Sequence, residues 1–211
     1  PASAMISRAT NGAAAGSVET TTNKVMLKTL DFDTTTQEFA QFSIRMPKSW
    51  NEGTITAAFT WSHAATATNF GVVWALQGIA LSNDDAGDTA FGTEQVIADT
   101  GGTTNDVYVT SATPAITIGG TPAAEDWVVF QAKRVPADGS DTMAIDARLH
   151  GVTLYFTTDA SEERITELKN SVQALPQVQS VEYISRDKAI ENFKARHDND
   201  YLMTQALEEL V

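Results

Sequence analysis

The feature that most limits the fold is a step in composition at Ser161. Of the 28 threonines, 26 precede it, as do all 13 glycines and all four tryptophans, and the last 51 residues contain neither Gly nor Trp. A single architecture rarely changes its residue usage so sharply, so the chain reads as two modules, residues 1–158 and 159–211.

The first module reads as all-β. "FAQFSIRM" sets Phe42, Ile44 and Met46 against Gln41, Ser43 and Arg45, the period-two pattern of a half-buried strand. "TITAAFTW" repeats it with Ile55, Ala57, Phe59 and Trp61. Further strands are expected in "GVVWALQGIAL", "DVYVT", "AITI", "DWVVFQA" and "MAIDARLHGVTLYF". Between them lie the turn-forming clusters "SNDDAGD", "DTGGTTND", "GGTPAAED" and "PADGSD". Short strands at this spacing predict a β-sandwich or jelly roll. In the last strand the apolar phase slips. Met143, Ile145, Ala147 and Leu149 are apolar at odd positions, Val152, Leu154 and Phe156 at even ones. One extra residue at His150 and Gly151 restores the face, which predicts a β-bulge there, with Gly151 absorbing an unusual dihedral.

The second module reads as small α+β. Ser161, or Asp159 with Glu162 three residues on, starts a helix whose stripe is Ile165, Leu168, Val172 and Leu175 and which Pro176 ends. "SVEYIS" is a short strand, and a helix after Ser185 and another in "DNDYLMTQALEELV" complete the order helix, strand, helix, helix. The predicted class is therefore mainly β: a sandwich followed by this module.

Charge removes some partners. Fourteen basic residues face 27 acidic ones, a net charge of −13, and phosphate backbones need clustered Lys and Arg, so no nucleic-acid partner is expected. No apolar run has the length needed to cross a bilayer, so no membrane insertion is expected. Without cysteine there is no disulfide, thiolate metal site or thiol nucleophile.

Candidate sites are sparse. Asp84, Asp85 and Asp88, or Asp99 and Asp106, offer hard oxygens for calcium, but Asp, Asn and Gly are also what tight turns require, and the turn reading is preferred. His63, His150 and His197 have no ligand spacing, so no metal and no cofactor is expected. No nucleophile, base and oxyanion donors assemble, so no catalytic residue is named and the chain is read as non-enzymatic. Of Trp50, Trp61, Trp74 and Trp127, Trp61 and Trp74 occupy core phases, and Trp50, in "PKSWNEG", is expected to be the partly exposed one. Partner contacts are expected at Trp50 and, on the second module, at Phe193, Tyr201 and Leu202.

Two resemblances follow from these stretches. "ALPQVQSVEYISRDKAIENF", within residues 153–211, resembles the extracytoplasmic domain of the cell-division permease FtsX, a binding and signalling domain without catalysis. The resemblance stops at "EELV", short of that family's complete domain. "TLDFDTTTQEFAQFSIRMPKSWNEGTITAAFTWSH" and "DTMAIDARLHGVTLYFTTDA", within residues 4–158, resemble a C-terminal β-domain of bacteriophage virion proteins, of tail fibres or surface decoration. That implies a non-enzymatic structural or host-contact protein on the virion surface, oligomeric, whose partners are virion proteins or its own copies. The alternatives are a carbohydrate-binding module reading a surface glycan and a cell-wall regulator acting through the FtsX-like part. Two resemblances from unrelated biology joined without a linker also imply a fusion. "VTLYFTTDA" is claimed by both, and it is assigned to the β-module.

Overall fold

The computed structural model describes residues 1–64, 70–157 and 162–174, with isolated positions beyond. The chain divides into two compact units, Pro1–Asp159 and Ala160–Val211. The first is a β-sandwich. Its strands are β1 (Ile6–Ser7), β2 (Ala14–Glu19), β3 (Met26–Phe32), β4 (Phe39–Arg45), β5 (Ile55–Ser62), β6 (Phe70–Leu81), β7 (Gln95–Gly101), β8 (Tyr108–Val109), β9 (Trp127–Arg134) and β10 (Ala147–Phe156). They form two five-stranded antiparallel sheets: sheet I in the order β1-β4-β9-β6-β7 and sheet II in the order β2-β3-β10-β5-β8.

Period-two alternation sends one apolar set from each sheet inward. Sheet I contributes Ala40, Val128, Phe130, Ala132, Val72, Trp74 and Leu76; sheet II contributes Leu30, Phe32, Ala57, Phe59, Trp61, Ala147 and Leu149. Across the interface Phe59 stacks on Trp74 with centroids 5.5 Å apart, and Phe32 meets the same indole edge-on at 5.3 Å. At Gly78 the missing side chain makes room for the Phe130 ring, and the Gly78 carbonyl accepts the N–H groups of Gly92 and Gly119, both at 2.9 Å. Those two bonds continue the edge of sheet I where β7 has ended.

The expected strands in "FAQFSIRM", "TITAAFTW", "GVVWALQGIAL", "DVYVT" and "DWVVFQA" are present. "AITI" is corrected: it pairs only through an isolated bridge between Ile116 and Ile55, although Ile116 and Ile118 are buried. Met143 and Ile145 precede the last strand, which begins at Ala147. The bulge lies where the phase slip puts it. On the β5 side Leu149 pairs with Trp61 and Gly151 with Thr60, leaving His150 as the extra residue. Gly151 is not left-handed; among the described glycines Gly120 is the one with positive φ. A bulge whose extra residue stays near the right-handed region needs no such dihedral. β10 is interior to sheet II, so the disputed strand belongs to the sandwich.

His150 turns its Nε2 to the Ser62 hydroxyl at 2.8 Å. Burial first, and the Arg148 guanidinium second, hold its imidazole below the usual 6.5, with Asp31 opposing. The unfolded chain therefore takes the proton first. Stability from this group is full above about pH 6.5 and is lost as pH falls through the depressed folded value. Urea melts at about pH 7.5 and about pH 5 are expected to differ less for His150→Gln than for the parent chain; an undiminished difference assigns the loss to other groups.

In the second unit α1 spans Glu162–Gln173, as the capping and stripe signals predict. Ile165 and Val172 are half-buried. Of the expected strand "SVEYIS", the described residues Ser180, Glu182 and Ile184 are not in strand. In the helix expected after Ser185, Lys188 and Glu191 are helical and form an ion pair at 2.8 Å. The contact residues Phe193, Tyr201 and Leu202 and the last expected helix lie outside the described residues, so the full helix, strand, helix, helix order is not seen.

Candidate functional site

The expected partial exposure of Trp50 is corrected by the structure. Its ring is 3% exposed and joins the core beside Met46, because the turn from Pro47, closed by the Trp50 N–H to the Pro47 carbonyl at 3.0 Å, folds the side chain inward. Trp127 is the exposed tryptophan, at 48%. The signal was in the alternation: Val128, Phe130 and Ala132 take the core phase of β9, which leaves Trp127, Val129, Gln131 and Lys133 on the outer face of sheet I.

The registers of β4, β9 and β6 place four rungs across that face: Arg45–Trp127–Leu81, Ser43–Val129–Ile79, Gln41–Gln131–Gln77 and Phe39–Lys133–Ala75. The amide rung is joined by Gln41 Nε2 donating to Gln131 Oε1 at 3.0 Å. Gln131 is 5% exposed, packed between its neighbours, while Gln41 and Gln77 are half-buried and open to solvent on either side of it. Lys133 is nearly buried and reaches Glu94 Oε2 at 2.5 Å. The Arg8 guanidinium lies over the Phe39 ring, 4.1 Å from its centroid, with Lys133 Nζ at 5.9 Å. At the opposite end, Arg45 Nη1 donates to the Glu125 carbonyl at 2.7 Å beside Trp127. The outcome is a shallow platform, exposed along β4 and at Trp127 and closed over Ile79 and Ala75 of β6, with an exposed indole at one end, paired amides in the middle and cations at both ends.

The acidic loops are organised as turns. Asp85 accepts the Ser82 N–H at 2.8 Å, Asn83 donates to Asp84 at 2.7 Å, and Asp84 has φ of 67°. Asp99 accepts the Trp61 indole N–H at 2.8 Å. Among the described residues no group of three or more His, Asp or Glu could hold a metal ion. A cleft of about 250 Å³ between the sheets is lined by Met5, Phe42, Ile44, Val152 and Leu154, and a polar hollow of about 440 Å³ by Asp31, Asp146 and Arg148. Neither contains a nucleophile with a base in hydrogen-bond reach.

Residues missed from sequence include a buried ion pair. Arg134 and Asp141 are both essentially unexposed, joined through Nε at 2.9 Å and Nη2 at 2.7 Å. The remaining guanidinium protons go to the carbonyls of Ile145, Met143 and Phe32, and Asp141 also accepts the Val73 N–H at 3.1 Å. This set is structural: it ties residues 135–146 over the end of the sandwich.

Comparison with solved structures returns matches at low identity. The xylan-binding CBM22-2 domain of Paenibacillus barcinonensis Xyn10C is 11% identical, with a TM-score of 0.41 over 73% of this chain and 92% of that one. The family 11 carbohydrate-binding module of Clostridium thermocellum, solved with a β-1,3-1,4-mixed-linked tetrasaccharide, is 10% identical, with a TM-score of 0.36 over 74% and 89%. TmCBM61, solved with β-1,4-galactotriose, is 12% identical, with a TM-score of 0.34 over 72% and 87%. No curated protein matches. These findings lend nothing to the virion resemblance of residues 4–158. Residues 150–209 match the family model of the FtsX extracellular domain, beginning within β10 and taking in α1.

Proposed function

We propose that the sandwich is a non-enzymatic glycan-binding module whose site is the outer face of sheet I. The observation that carries this reading is the alignment of an exposed Trp127 indole with the Gln41–Gln131–Gln77 rung on one face of one sheet. An indole offers a flat apolar surface to the C–H face of a sugar ring, and primary amides donate and accept at once, as pairs of sugar hydroxyls require. Because these side chains stand on paired strands rather than loops, little ordering is needed on binding. Such a shallow platform binds weakly, so function rests on several copies displayed together. We place the module outside the cytoplasm, a location supported by the extracellular domain that residues 150–209 match.

The full chain is expected to retain particular oligosaccharides on a glycan array. In titration with a retained oligosaccharide, Gln77→Ala is expected to weaken binding about three- to tenfold, the worth of one or two hydrogen bonds. A chain that retains no glycan, neutral or charged, overturns the reading.

A further inference from the structure

We infer that the glycan is a linear acidic one in which carboxylate-bearing sugars are separated by neutral sugars. This deepens the reading of the sheet I face and rests on it.

The sandwich is acidic, with sixteen carboxylates against eight cations in residues 1–157. Those charges are unevenly placed. On the four rungs and their margins the charged groups are Arg8, Arg45, Lys133 and Glu94 and, beside Trp127, Lys48, Glu125 and Asp126. Lys133 pairs with Glu94, Lys48 with Glu125, and Asp126 accepts the Ser82 hydroxyl. Among the described residues neither Arg8 nor Arg45 has a carboxylate within ion-pair distance; Glu125, whose carbonyl Arg45 engages, gives its carboxylate to Lys48 at 3.6 Å. A guanidinium with no ion-pair partner among the described residues thus stands at each end of the row on an otherwise acidic molecule. Each has one anchoring contact: Arg8 with the Phe39 ring and Arg45 with the Glu125 carbonyl. A planar guanidinium with its remaining donors open is suited to bidentate capture of a carboxylate.

The spacing selects among polyanions. Phe39 and Arg45 are six residues apart on β4, about 20 Å at ~3.3 Å per residue, and the middle of that span offers amides instead of cations. A nucleic acid carries a phosphate at every step and would set uncompensated charge against the Gln rung and the acidic remainder of the molecule. A glycan with acidic sugars toward each end and neutral sugars between them meets guanidinium, amide and guanidinium in that order.

The test uses the full chain and a panel of uronate-containing oligosaccharides, each beside its carboxyl-reduced form, with a neutral xylohexaose and a thymidine dodecanucleotide. At least one acidic oligosaccharide is expected to bind about tenfold or more tightly than its reduced form, with a preference that shrinks as salt is added. In Arg8→Gln and Arg45→Gln that ratio is expected to fall toward one, while Lys28→Gln, on sheet II, keeps it. Unchanged circular dichroism and melting temperature establish that the variants are folded. Equal affinity for acidic and reduced forms overturns the inference and leaves the glycan reading standing. Tighter binding of the oligonucleotide overturns it in favour of a general polyanion site. Absence of binding to every glycan, reduced and neutral forms included, overturns the glycan reading itself.

Discussion

Arg134→Met is expected to destabilise the sandwich by about 3–5 kcal/mol, the cost of leaving a buried charge without its partner. For a unit of this size that lowers the melting temperature by on the order of 10 °C. The guanidinium is wholly buried and spends its protons on Asp141 and three backbone carbonyls, and Asp141 sits among core strands with the Val73 N–H as its other donor. Removing Arg134 therefore strands a carboxylate and takes the guanidinium from the Ile145 carbonyl, while the Met143 carbonyl keeps the Thr34 hydroxyl at 2.8 Å. Asp141→Leu alone should be comparably harmful. The double variant Arg134→Met, Asp141→Leu should recover part of the loss, because an apolar pair leaves no buried charge behind. Thermal melts of the three variants check this. A single variant melting within about 2 °C of the parent would show that water reaches the site and that the pair is not holding residues 135–146 in place.

That ion pair marks where the sequence stops being readable. Val128, Phe130, Ala132 and Arg134 share one phase, so a cation at a core position announced a buried partner, but nothing in the spacing said that the partner was Asp141, seven residues on and across a turn. Long central strands were legible because their alternation is strong, as in β5, β6 and β9. The short β1 was missed, and so were β2, β3 and β7, whose "AAGSVE", "MLKTLDF" and "QVIADTG" mix small, polar and apolar residues and owe their strand state to pairing with neighbours. The bulge at His150 was legible for the opposite reason. A one-residue slip exchanges the two faces of a strand, and with Leu149 and Val152 both required in the core the chain has one way to keep them there. The glycan face was only half legible. Strand phase gives the outward residues of β4, β9 and β6 singly, whereas their alignment into rungs depends on register, and the order in which the strands lie in the sheet is set by tertiary pairing.

Trp50 and Trp127 separate stability from binding. Trp127→Ala is expected to leave the melting temperature nearly unchanged, since an outward, half-exposed side chain contributes within about 0.5 kcal/mol, while weakening glycan affinity by about thirtyfold, the loss typical of an aromatic anchor worth ~2 kcal/mol. Trp50→Ala is expected to do the reverse. Its ring fills the core beside Met46, so truncation costs about 3–5 kcal/mol in stability, and the molecules that remain folded bind with nearly parental affinity. Calorimetric titration of each variant below its own melting range, corrected for the folded fraction, distinguishes the roles. Parental affinity in Trp127→Ala would remove the indole from the site and leave the amide rung as its only specific element. The same loss of affinity in folded Trp50→Ala would mean that the "PKSWNEG" turn, rather than the sheet I face, meets the ligand. The face predicts opposite responses because Trp127 lies outside the alternation that builds the core and Trp50 is folded back into it.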